Sequence, residues 1–223
     1  MIGHVYESVS KCQALSLTAV ATCDEVVGNY IESIGGCAVM TRGDHERASD
    51  RCAEALITLE KERKEKFDIV VMIQGDEPMV HPQMINDVLQ PILDEAHVQV
   101  VNLLGQIQSE DEFNDRNCIK VVCDLNSDAI YFSRQPIPLW STVDSKNAGK
   151  QVCLIPFRRD FLIEYSNLEP TPLEICESID MLRVLEHGGK VRMVPTTYNT
   201  HAVDTIEDLE KVEGFMRMTN SSD

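Results

Sequence analysis

The sequence has few basic residues for its acidic content. It carries 20 Lys and Arg residues against 37 Asp and Glu residues, which gives a formal net charge of −17 at pH 7. A nucleic-acid partner is not expected, because binding to a phosphate backbone requires clustered basic side chains. A single nucleotide is not excluded, since a metal ion and one or two basic side chains can neutralise its few charges. The acidity otherwise indicates a soluble, self-repelling surface.

The sequence also lacks paired cysteines and long apolar runs. None of its eight cysteines forms a Cys-X-X-Cys pair. This argues against a zinc site or a disulfide framework and favours free thiols in a reducing compartment. No apolar stretch reaches the length of a membrane span, and the first residues lack the basic and apolar regions of a signal peptide. We therefore expect a cytoplasmic protein with no membrane insertion.

The pattern that is present is an alternation of strand-like apolar runs with helical periodicity. It predicts a single α/β domain over residues 1–223, with a mixed and mainly parallel sheet. The clearest buried strand covers residues 67–73, and residues 118–123 and 129–132 flank a turn-rich link that predicts a β-hairpin. Residues 139–150 predict a polar loop. Helices are predicted at residues 2–11, 25–34, 50–65, 82–95 and 206–218.

The sharpest local motif is Gln74-Gly75-Asp76-Glu77-Pro78, which follows the buried strand directly. Ligands of open α/β sheets bind at the carboxyl ends of strands, so Asp76 is predicted to face a ligand. A carboxylate at this place suits Mg²⁺, which binds through one or two carboxylates together with substrate phosphates. The alternative is a turn aspartate that caps the helix after Pro78, and the spacing alone does not decide between the two.

A second candidate is Asp204, which lies between the last predicted strand and the last helix. Taken alone, this segment favours a structural role, because Asp204 or Thr205 is a suitable N-cap for the helix that follows. Two aspartates at the same sheet edge would hold one or two metal ions against a triphosphate. The joint occurrence of Asp76 and Asp204 therefore favours a metal site without deciding the question.

Eight segments, in order along nearly the whole chain, resemble those of the CMP-Kdo synthetases (3-deoxy-manno-octulosonate cytidylyltransferases). They are Val20-Ala-Thr, Val39-Met-Thr-Arg with Asp50-Arg51, Gln74-Gly-Asp-Glu-Pro-Met79, Ile119-Lys-Val-Val, Ala129-Ile-Tyr-Phe-Ser-Arg134 with Ile137-Pro138, Pro172-Leu-Glu174, Leu182-Arg-Val-Leu185 and Val203-Asp-Thr-X-Glu-Asp-Leu-Glu210. One of these segments alone would be a weak signal, whereas eight in order are specific.

The resemblance implies a Rossmann-like nucleotide-diphospho-sugar transferase fold, usually dimeric, with a hairpin lobe at about residues 118–158 that contributes to the dimer and the sugar pocket. It implies that CTP and 3-deoxy-D-manno-octulosonate (Kdo), or a related ulosonic acid, give a CMP-sugar and pyrophosphate. Mg²⁺ is the implied cofactor, and lipopolysaccharide or surface polysaccharide is the implied destination of the product.

The matched segments also imply roles for individual residues. Asp76 and Asp204 correspond to the magnesium ligands of the family. Arg134 corresponds to the arginine that approaches the sugar carboxylate, for which a guanidinium is suited because it can pair in a bidentate way. The loop that carries Ser49 and Arg51 corresponds to the region that recognises cytosine.

Some positions depart from the family pattern. Arg47 stands where the cytosine loop usually has a small residue. In the sugar pocket, Gln151 and Asp180 are the remaining candidates for substrate contacts, while Ile155 and Met181 replace residues that form hydrogen bonds. Changes of this kind alter which sugar fits, because unpaired polar groups are costly.

Two further positions complete the set of candidates, namely Gln74 as a substrate contact and Lys120, which either supports the fold or contacts the nucleotide.

The family's first strand and its phosphate-binding loop have no counterpart in the sequence. Residues 1–5 resemble the helix that follows this loop. We therefore expect a domain that lacks these elements, with a gap in its sheet and unpaired backbone groups beside the gap. Two alternatives to a Kdo enzyme stay open at this point. They are an N-acylneuraminate-type cytidylyltransferase and a catalytically inactive, truncated homologue.

Overall fold

A computed structural model describes residues 1–140 and 148–220 of the chain. The helices are α1 (Ile2–Val9), α2 (Glu25–Ser33), α3 (Ala48–Arg63), α4 (Pro82–Asp94), α5 (Glu110–Asn114), α6 (Arg159–Ser166), α7 (Pro172–Glu177), α8 (Met181–Glu186) and α9 (Ile206–Asn220). The strands are β1 (Ala19–Thr22), β2 (Cys37–Met40), β3 (Ile69–Ile73), β4 (Val101–Gly105), β5 (Lys120–Cys123), β6 (Ala129–Ser133), β7 (Ala148–Val152), β8 (Leu154–Arg158) and β9 (Arg192–Pro195).

The strands form three separate groups. β1 pairs with β2, β3 pairs with β8, and a five-stranded sheet has the order β6-β5-β7-β4-β9. The mixed α/β architecture confirms the predicted class, but the expectation of mainly parallel pairing is wrong for the described residues. Among the described strands, only the pairs β1–β2 and β4–β9 are parallel. The five-stranded sheet contains the β5–β6 hairpin and β7, and β7 runs antiparallel to both β4 and β5. Short links can join antiparallel strands, whereas parallel strands need a longer crossover.

The predicted hairpin is present as β5 and β6. Its turn is held by Asp124, whose Oδ1 accepts hydrogen bonds from the backbone amides of Asn126 (2.8 Å) and Asp128 (2.9 Å). The predicted polar loop is wrong in part. Residues 141–147 lie outside the described residues, but residues 148–150 already belong to β7, where Gly149 allows the backbone to pass close to Gly105.

The five helices predicted above are present as α1, α2, α3, α4 and α9, and α4 shows why they form. His81 accepts a hydrogen bond from the Gln83 amide at the N-terminus, where Pro82 occupies a position that needs no N–H donor. The helix buries one face, formed by Met84, Ile85, Val88, Leu89 and Ile92. That face packs in one of two apolar clusters, while the other surrounds Phe132, Phe157 and Tyr165. None of the described helices is both long and apolar enough to cross a membrane.

An apolar cavity of about 480 Å³ separates β1 from β3. Both strands line it, together with side chains of α1, α3 and α4. Among the described residues β1 pairs only with β2 and β3 only with β8, so each strand has an open edge. The two strands with open edges therefore line the same cavity.

Candidate active site

A polar pocket of about 280 Å³ gathers five of the predicted site residues at the ends of several strands. These are Gln74, Asp76, Arg134, Gln151 and Asp204. Gln74 and Asp76 follow β3, Arg134 follows β6, Gln151 lies in β7, and Asp204 precedes α9. The larger apolar cavity is lined by two of the predicted site residues, Gln74 and Arg51.

A direct backbone contact brings the two candidate metal ligands together. The Val203 amide donates a hydrogen bond of 2.9 Å to the carbonyl oxygen of Asp76. Since Asp204 is the next residue, the contact holds its segment against the Gly75-Asp76 turn. The negative charge of Asp204 is close enough to raise the pKa of Asp76. The predicted meeting of these aspartates at one edge of the fold is thus observed.

The carboxylate of Asp76 does not cap a helix. His81 caps α4 instead, and the Oδ1 atom of Asp76 is buried without a hydrogen-bond partner among the described residues. Burial raises the pKa of Asp76, and repulsion from Asp204 raises it further. A buried and unpaired carboxylate oxygen is unfavourable unless a cation or a donor reaches it. The structural alternative for Asp76 is therefore not supported by the geometry.

The cap of α9 is supplied by Thr205 and Asp208. The Thr205 hydroxyl accepts from the Asp208 amide (3.2 Å), and the Asp208 carboxylate accepts from the Thr205 amide (3.0 Å), which is a capping box with Asp in the acidic position. Asp204 is not needed for this cap, and its side chain is exposed at the pocket. Of the two candidate cap residues, the structure thus uses Thr205.

The donor set of the pocket suits a hard divalent cation that keeps water and substrate ligands. Two carboxylates, those of Asp76 and Asp204, line the pocket and repel each other, and Asp76 has an orphaned oxygen. Within residues 1–140 and 148–220, no group of three or more His, Cys, Asp and Glu side chains is arranged to hold a metal. A fully protein-ligated site of the zinc or calcium type is therefore not indicated by the described residues, whereas two carboxylates plus phosphate oxygens match the preference of Mg²⁺.

Arg134 lines the pocket, and three of its N–H donors form hydrogen bonds with backbone carbonyl oxygens. Its Nε donates to the carbonyl oxygen of Glu177 (2.7 Å), Nη1 to that of Arg116 (3.0 Å) and Nη2 to that of Ser178 (3.3 Å). A guanidinium has five N–H donors, so within the described part of the chain one donor remains on each Nη atom. The side chain is thus fixed in direction and still able to bind a carboxylate through two donors.

Lys120 supports the fold and does not face a nucleotide. It is fully buried, and its Nζ donates to the carbonyl oxygens of Asp115 (2.6 Å), Cys118 (2.6 Å) and Arg134 (2.9 Å). All three hydrogens of the ammonium group are thereby used. Of the two roles left open for Lys120, the structure favours the structural one.

Lys150 is a pocket residue that the sequence analysis missed. Its ammonium group contacts the Glu112 carboxylate and donates to the Thr200 carbonyl oxygen (2.7 Å). It supplies a nearly buried positive charge in a pocket otherwise rich in carboxylates. Ala148 and Gly149 precede Lys150 and give this segment the composition of a loop, so the sequence carries no signal for the strand that turns Lys150 inward.

Ser49, Arg51 and Asp180 do not line the polar pocket. The Ser49 hydroxyl donates to Asp180 Oδ2 (2.7 Å), and Arg47 lies 3.8 Å from the other oxygen of the same carboxylate. Arg51 instead donates to the hydroxyl of Thr41 (2.6 Å). The Asp180 side chain is only 16% exposed, so its oxygens are largely committed to protein partners. For Ser49, Arg51 and Asp180, substrate contact stays a prediction that this pocket does not support.

Two of the expected changes in the sugar pocket lie in the protein core. Ile155 is 2% exposed and Met181 is fully buried, and both belong to the apolar cluster around Phe132. Neither side chain lines the polar pocket. Of the departing residues, Gln151 lines this pocket, and an effect of Ile155 and Met181 on the sugar pocket stays a prediction.

The two thiols of the pocket do not provide a nucleophile. Burial raises the pKa of Cys118 to about 12, with a further contribution from Glu112. Burial also raises the pKa of Cys153, and the charge of Glu77 raises it further. A thiol attacks as its thiolate, so both groups stay inert at neutral pH. The pocket is suited to binding and orienting charged ligands rather than to covalent catalysis by cysteine.

We expect Glu77 to make the stability of the fold depend on pH. Glu77 is only 5% exposed, and this burial raises the pKa of its carboxyl group from 4.5 to about 7. The folded protein then binds this proton more tightly than the unfolded chain, so ionisation costs stability. We expect the free energy of unfolding in metal-free buffer to fall between roughly pH 5 and pH 8, by at most about 3 kcal/mol from Glu77. Urea unfolding at four pH values measures this slope.

The matched variant for this prediction is Glu77→Gln. In the wild type, the Cys153 amide donates a hydrogen bond of 2.9 Å to the Glu77 carboxylate. A glutamine side chain keeps an oxygen that can accept this hydrogen bond, but it does not titrate. The raised pKa of Asp76 contributes in the same direction, so the variant should retain a reduced slope. An unchanged slope in Glu77→Gln would show that Glu77 is not the titrating group.

Comparison with known proteins identifies similar chains. A model of the family described as cytidylyltransferase matches residues 1–213. The 3-deoxy-manno-octulosonate cytidylyltransferase of Geobacter metallireducens is 38% identical over 223 residues, which cover 95% of this chain and 85% of that protein. The protein of the same name from Pelobacter propionicus is 37% identical over 232 residues, which cover 99% of this chain and 89% of that protein.

A solved structure agrees with these relatives. It is the structure of CMP:2-keto-3-deoxy-manno-octonic acid synthetase in complex with CTP. It superposes with a TM-score of 0.85 at 35% sequence identity, covering 98% of this chain and 88% of that chain. The similarity therefore extends over nearly the whole chain.

Proposed function

The chain belongs to the family of 3-deoxy-manno-octulosonate cytidylyltransferases, and we propose that it transfers CMP from CTP to Kdo, releasing pyrophosphate. The observation that carries this proposal is the pairing of Asp76, with its orphaned buried oxygen, and Asp204 in a pocket that also contains Arg134 and Gln151. The names of the similar enzymes favour Kdo over an N-acylneuraminate.

The reaction joins the anomeric hydroxyl of the sugar acid to the α-phosphorus of CTP. The new oxygen–phosphorus bond forms as the bond to the bridging oxygen of the β-phosphate breaks, and pyrophosphate leaves with that electron pair. The hydroxyl proton passes to solvent. Such a transfer needs little covalent help, so catalysis rests on positioning and on electrostatic stabilisation. Arg134 would bind the sugar carboxylate and Gln151 a hydroxyl group of the sugar.

Magnesium is the proposed cofactor, held by Asp76 and Asp204. The orphaned Oδ1 atom and the mutual repulsion of the two carboxylates support this assignment. When bound there, Mg²⁺ would neutralise phosphate charge in CTP and in departing pyrophosphate. The chain itself holds Asp76 in place through the Val203 amide, and Lys150, which contacts Glu112, adds a positive charge to the same pocket.

Ligand-dependent stability tests the proposed function directly. We expect CTP with Mg²⁺ to raise the melting temperature, because a ligand that binds only the folded state stabilises it by about 2.7 kcal/mol at a hundredfold excess over Kd. CTP alone should have a smaller effect, and GTP with Mg²⁺ is the control nucleotide. Release of pyrophosphate should then require Kdo. A chain that gains no stability from any nucleotide would instead be the inactive homologue.

Three finer properties are also proposed. The product would serve lipopolysaccharide or surface-polysaccharide synthesis, and the reaction would take place in the cytoplasm. The active form would be a homodimer that uses the hairpin lobe, as supported by the exposed apolar side chains Leu125 (97%) and Ile130 (61%) on that lobe. Light scattering at several concentrations measures the mass of the particle and would contradict the dimer if only 25.1 kDa species occur.

A further inference from the structure

The boundary between β7 and β8 is a kink beside the pocket. β7 pairs with β4 and β5, whereas β8 pairs with β3, so the chain changes sheets at Cys153. Where a chain passes from one sheet to another, its backbone N–H and C=O groups lose the hydrogen bonds to a neighbouring strand and need other partners. Gln151, the pocket residue of β7, lies two positions before this change.

Side chains and a loop supply the missing partners. Asn102, which is fully buried in β4, donates from Nδ2 to the Val152 carbonyl oxygen (2.7 Å). The Cys153 amide donates to Glu77 (2.9 Å), and the Cys153 carbonyl oxygen accepts from the Gln74 amide (3.0 Å). The hydrogen bonds of Cys153 thus connect the kink to the loop that carries Asp76.

The contacts of Asn102 determine the orientation of its amide. Nδ2 faces two backbone carbonyl oxygens, of Val152 (2.7 Å) and Leu103 (3.0 Å), and carbonyl oxygens can only accept. The nitrogen of Asn102 must therefore point to them, and its Oδ1 must point to Gln151. An inverted amide would place oxygen against oxygen at both contacts.

The same logic then orients Gln151. Its Nε2 donates to Asn102 Oδ1 at 2.7 Å, and because that oxygen can only accept, the nitrogen of Gln151 must face it. The Oε1 atom is left as the acceptor of a side chain that lines the pocket. Within the described residues, no donor is bonded to Oε1.

We propose that Asn102 is a positioning residue for sugar selection, which holds Gln151 so that the pocket presents a fixed hydrogen-bond acceptor to a hydroxyl group of the sugar acid. This rests on the proposed function, because it assigns the sugar side of the pocket to Gln151. A preoriented acceptor binds a hydroxyl donor without first ordering its own side chain. It disfavours a ligand that places a carbonyl or ether oxygen at the same point, because two acceptors then meet.

Calorimetric titration with Kdo and with CTP tests the proposal by a double-mutant cycle. Asn102→Leu and Gln151→Leu should each weaken Kdo binding about tenfold, the loss expected for one hydrogen bond, with CTP affinity unchanged. The double variant should be no weaker than Gln151→Leu, because Asn102 acts through Gln151. Asn102→Asp should restore Kdo affinity, since its carboxyl group, kept protonated by burial, can still donate to Val152 and accept from Gln151.

A purely structural role for Asn102 gives different results. It would lower Kdo and CTP affinity together, or its effect would add to that of Gln151→Leu. If Asn102→Leu does not fold, the Asn102→Asp and Gln151→Leu variants still measure Kdo affinity separately from CTP affinity. Either an additive cycle or an Asn102→Asp variant as weak as Gln151→Leu would overturn the proposal.

A measurement without ligand separates this proposal from the proposed function. The side-chain NH₂ of Gln151 should exchange slowly with solvent in the wild type, because it is bonded to a buried acceptor, and at least tenfold faster in Asn102→Leu. Equal exchange in both proteins would overturn the positioning role. Slow exchange in a wild type that binds no Kdo would leave Asn102 as the residue that orients Gln151 and would remove Kdo as the substrate.

Discussion

Replacing Asp76 with Asn is expected to lower the rate of CMP-Kdo formation by about a thousandfold while the fold stays intact. The amide cannot supply the negative charge that a divalent cation requires. The apo protein should melt at the same or a slightly higher temperature, since the variant removes a carboxylate whose pKa is raised by burial and by repulsion from Asp204. Steady-state pyrophosphate release and thermal melting measure the two effects.

The matched control is Asp111→Asn, the same chemical change on the exposed first turn of α5. It should leave the rate and the melting temperature unchanged. Asp204→Asn should behave like Asp76→Asn, and both should lose the extra stabilisation that Mg²⁺ gives with CTP. Near-normal turnover by Asp76→Asn would remove Asp76 from the proposed metal site.

Replacing Arg134 with Lys should raise the KM for Kdo by about thirtyfold, which corresponds to the loss of a charge-assisted pair of hydrogen bonds. A lysine ammonium keeps the charge but cannot donate to three backbone carbonyl oxygens and to a carboxylate at once. The KM for CTP should change much less. Initial rates with each substrate varied at saturation of the other separate the two effects.

Two control variants accompany Arg134→Lys. Arg63→Lys makes the same exchange at an exposed position of α3 and should have no effect. Glu177→Gln disturbs the anchoring of the same segment, since Glu177 accepts from the Arg134 amide (2.9 Å) and the Ser133 hydroxyl (2.9 Å), but it keeps the guanidinium. A Kdo KM that rises equally in Glu177→Gln and Arg134→Lys would show that Arg134 acts only through the fold.

The sequence by itself determined which segments approach the site. A buried apolar run ending in Gly75 and Asp76 predicts a strand end that faces a ligand, because strand length and turn chemistry are local properties. The hairpin around Asp124 follows from the same kind of local signal. Ordered motifs then indicated the family over nearly the whole chain, and the similar enzymes confirm it.

Only the tertiary structure decided what these segments do once they meet. Ser49 and Asp180 lie far apart in the sequence, and only folding shows that they bond to each other and not to the polar pocket. Lys150 turns inward because β7 is packed between β4 and β5, a pairing that its own composition does not signal. Long-range strand pairing and burial depend on the whole chain, whereas propensity and periodicity act over a few residues.

The roles of the two central aspartates show the same division. Their sequence positions allowed either helix caps or metal ligands. The structure assigned the caps to His81 and Thr205, which left Asp76 and Asp204 together, one of them with a buried oxygen that has no protein partner among the described residues. Local sequence specifies which residues can cap a helix. The three-dimensional packing selects among them, because only there does each polar atom either find a partner or stay unpaired.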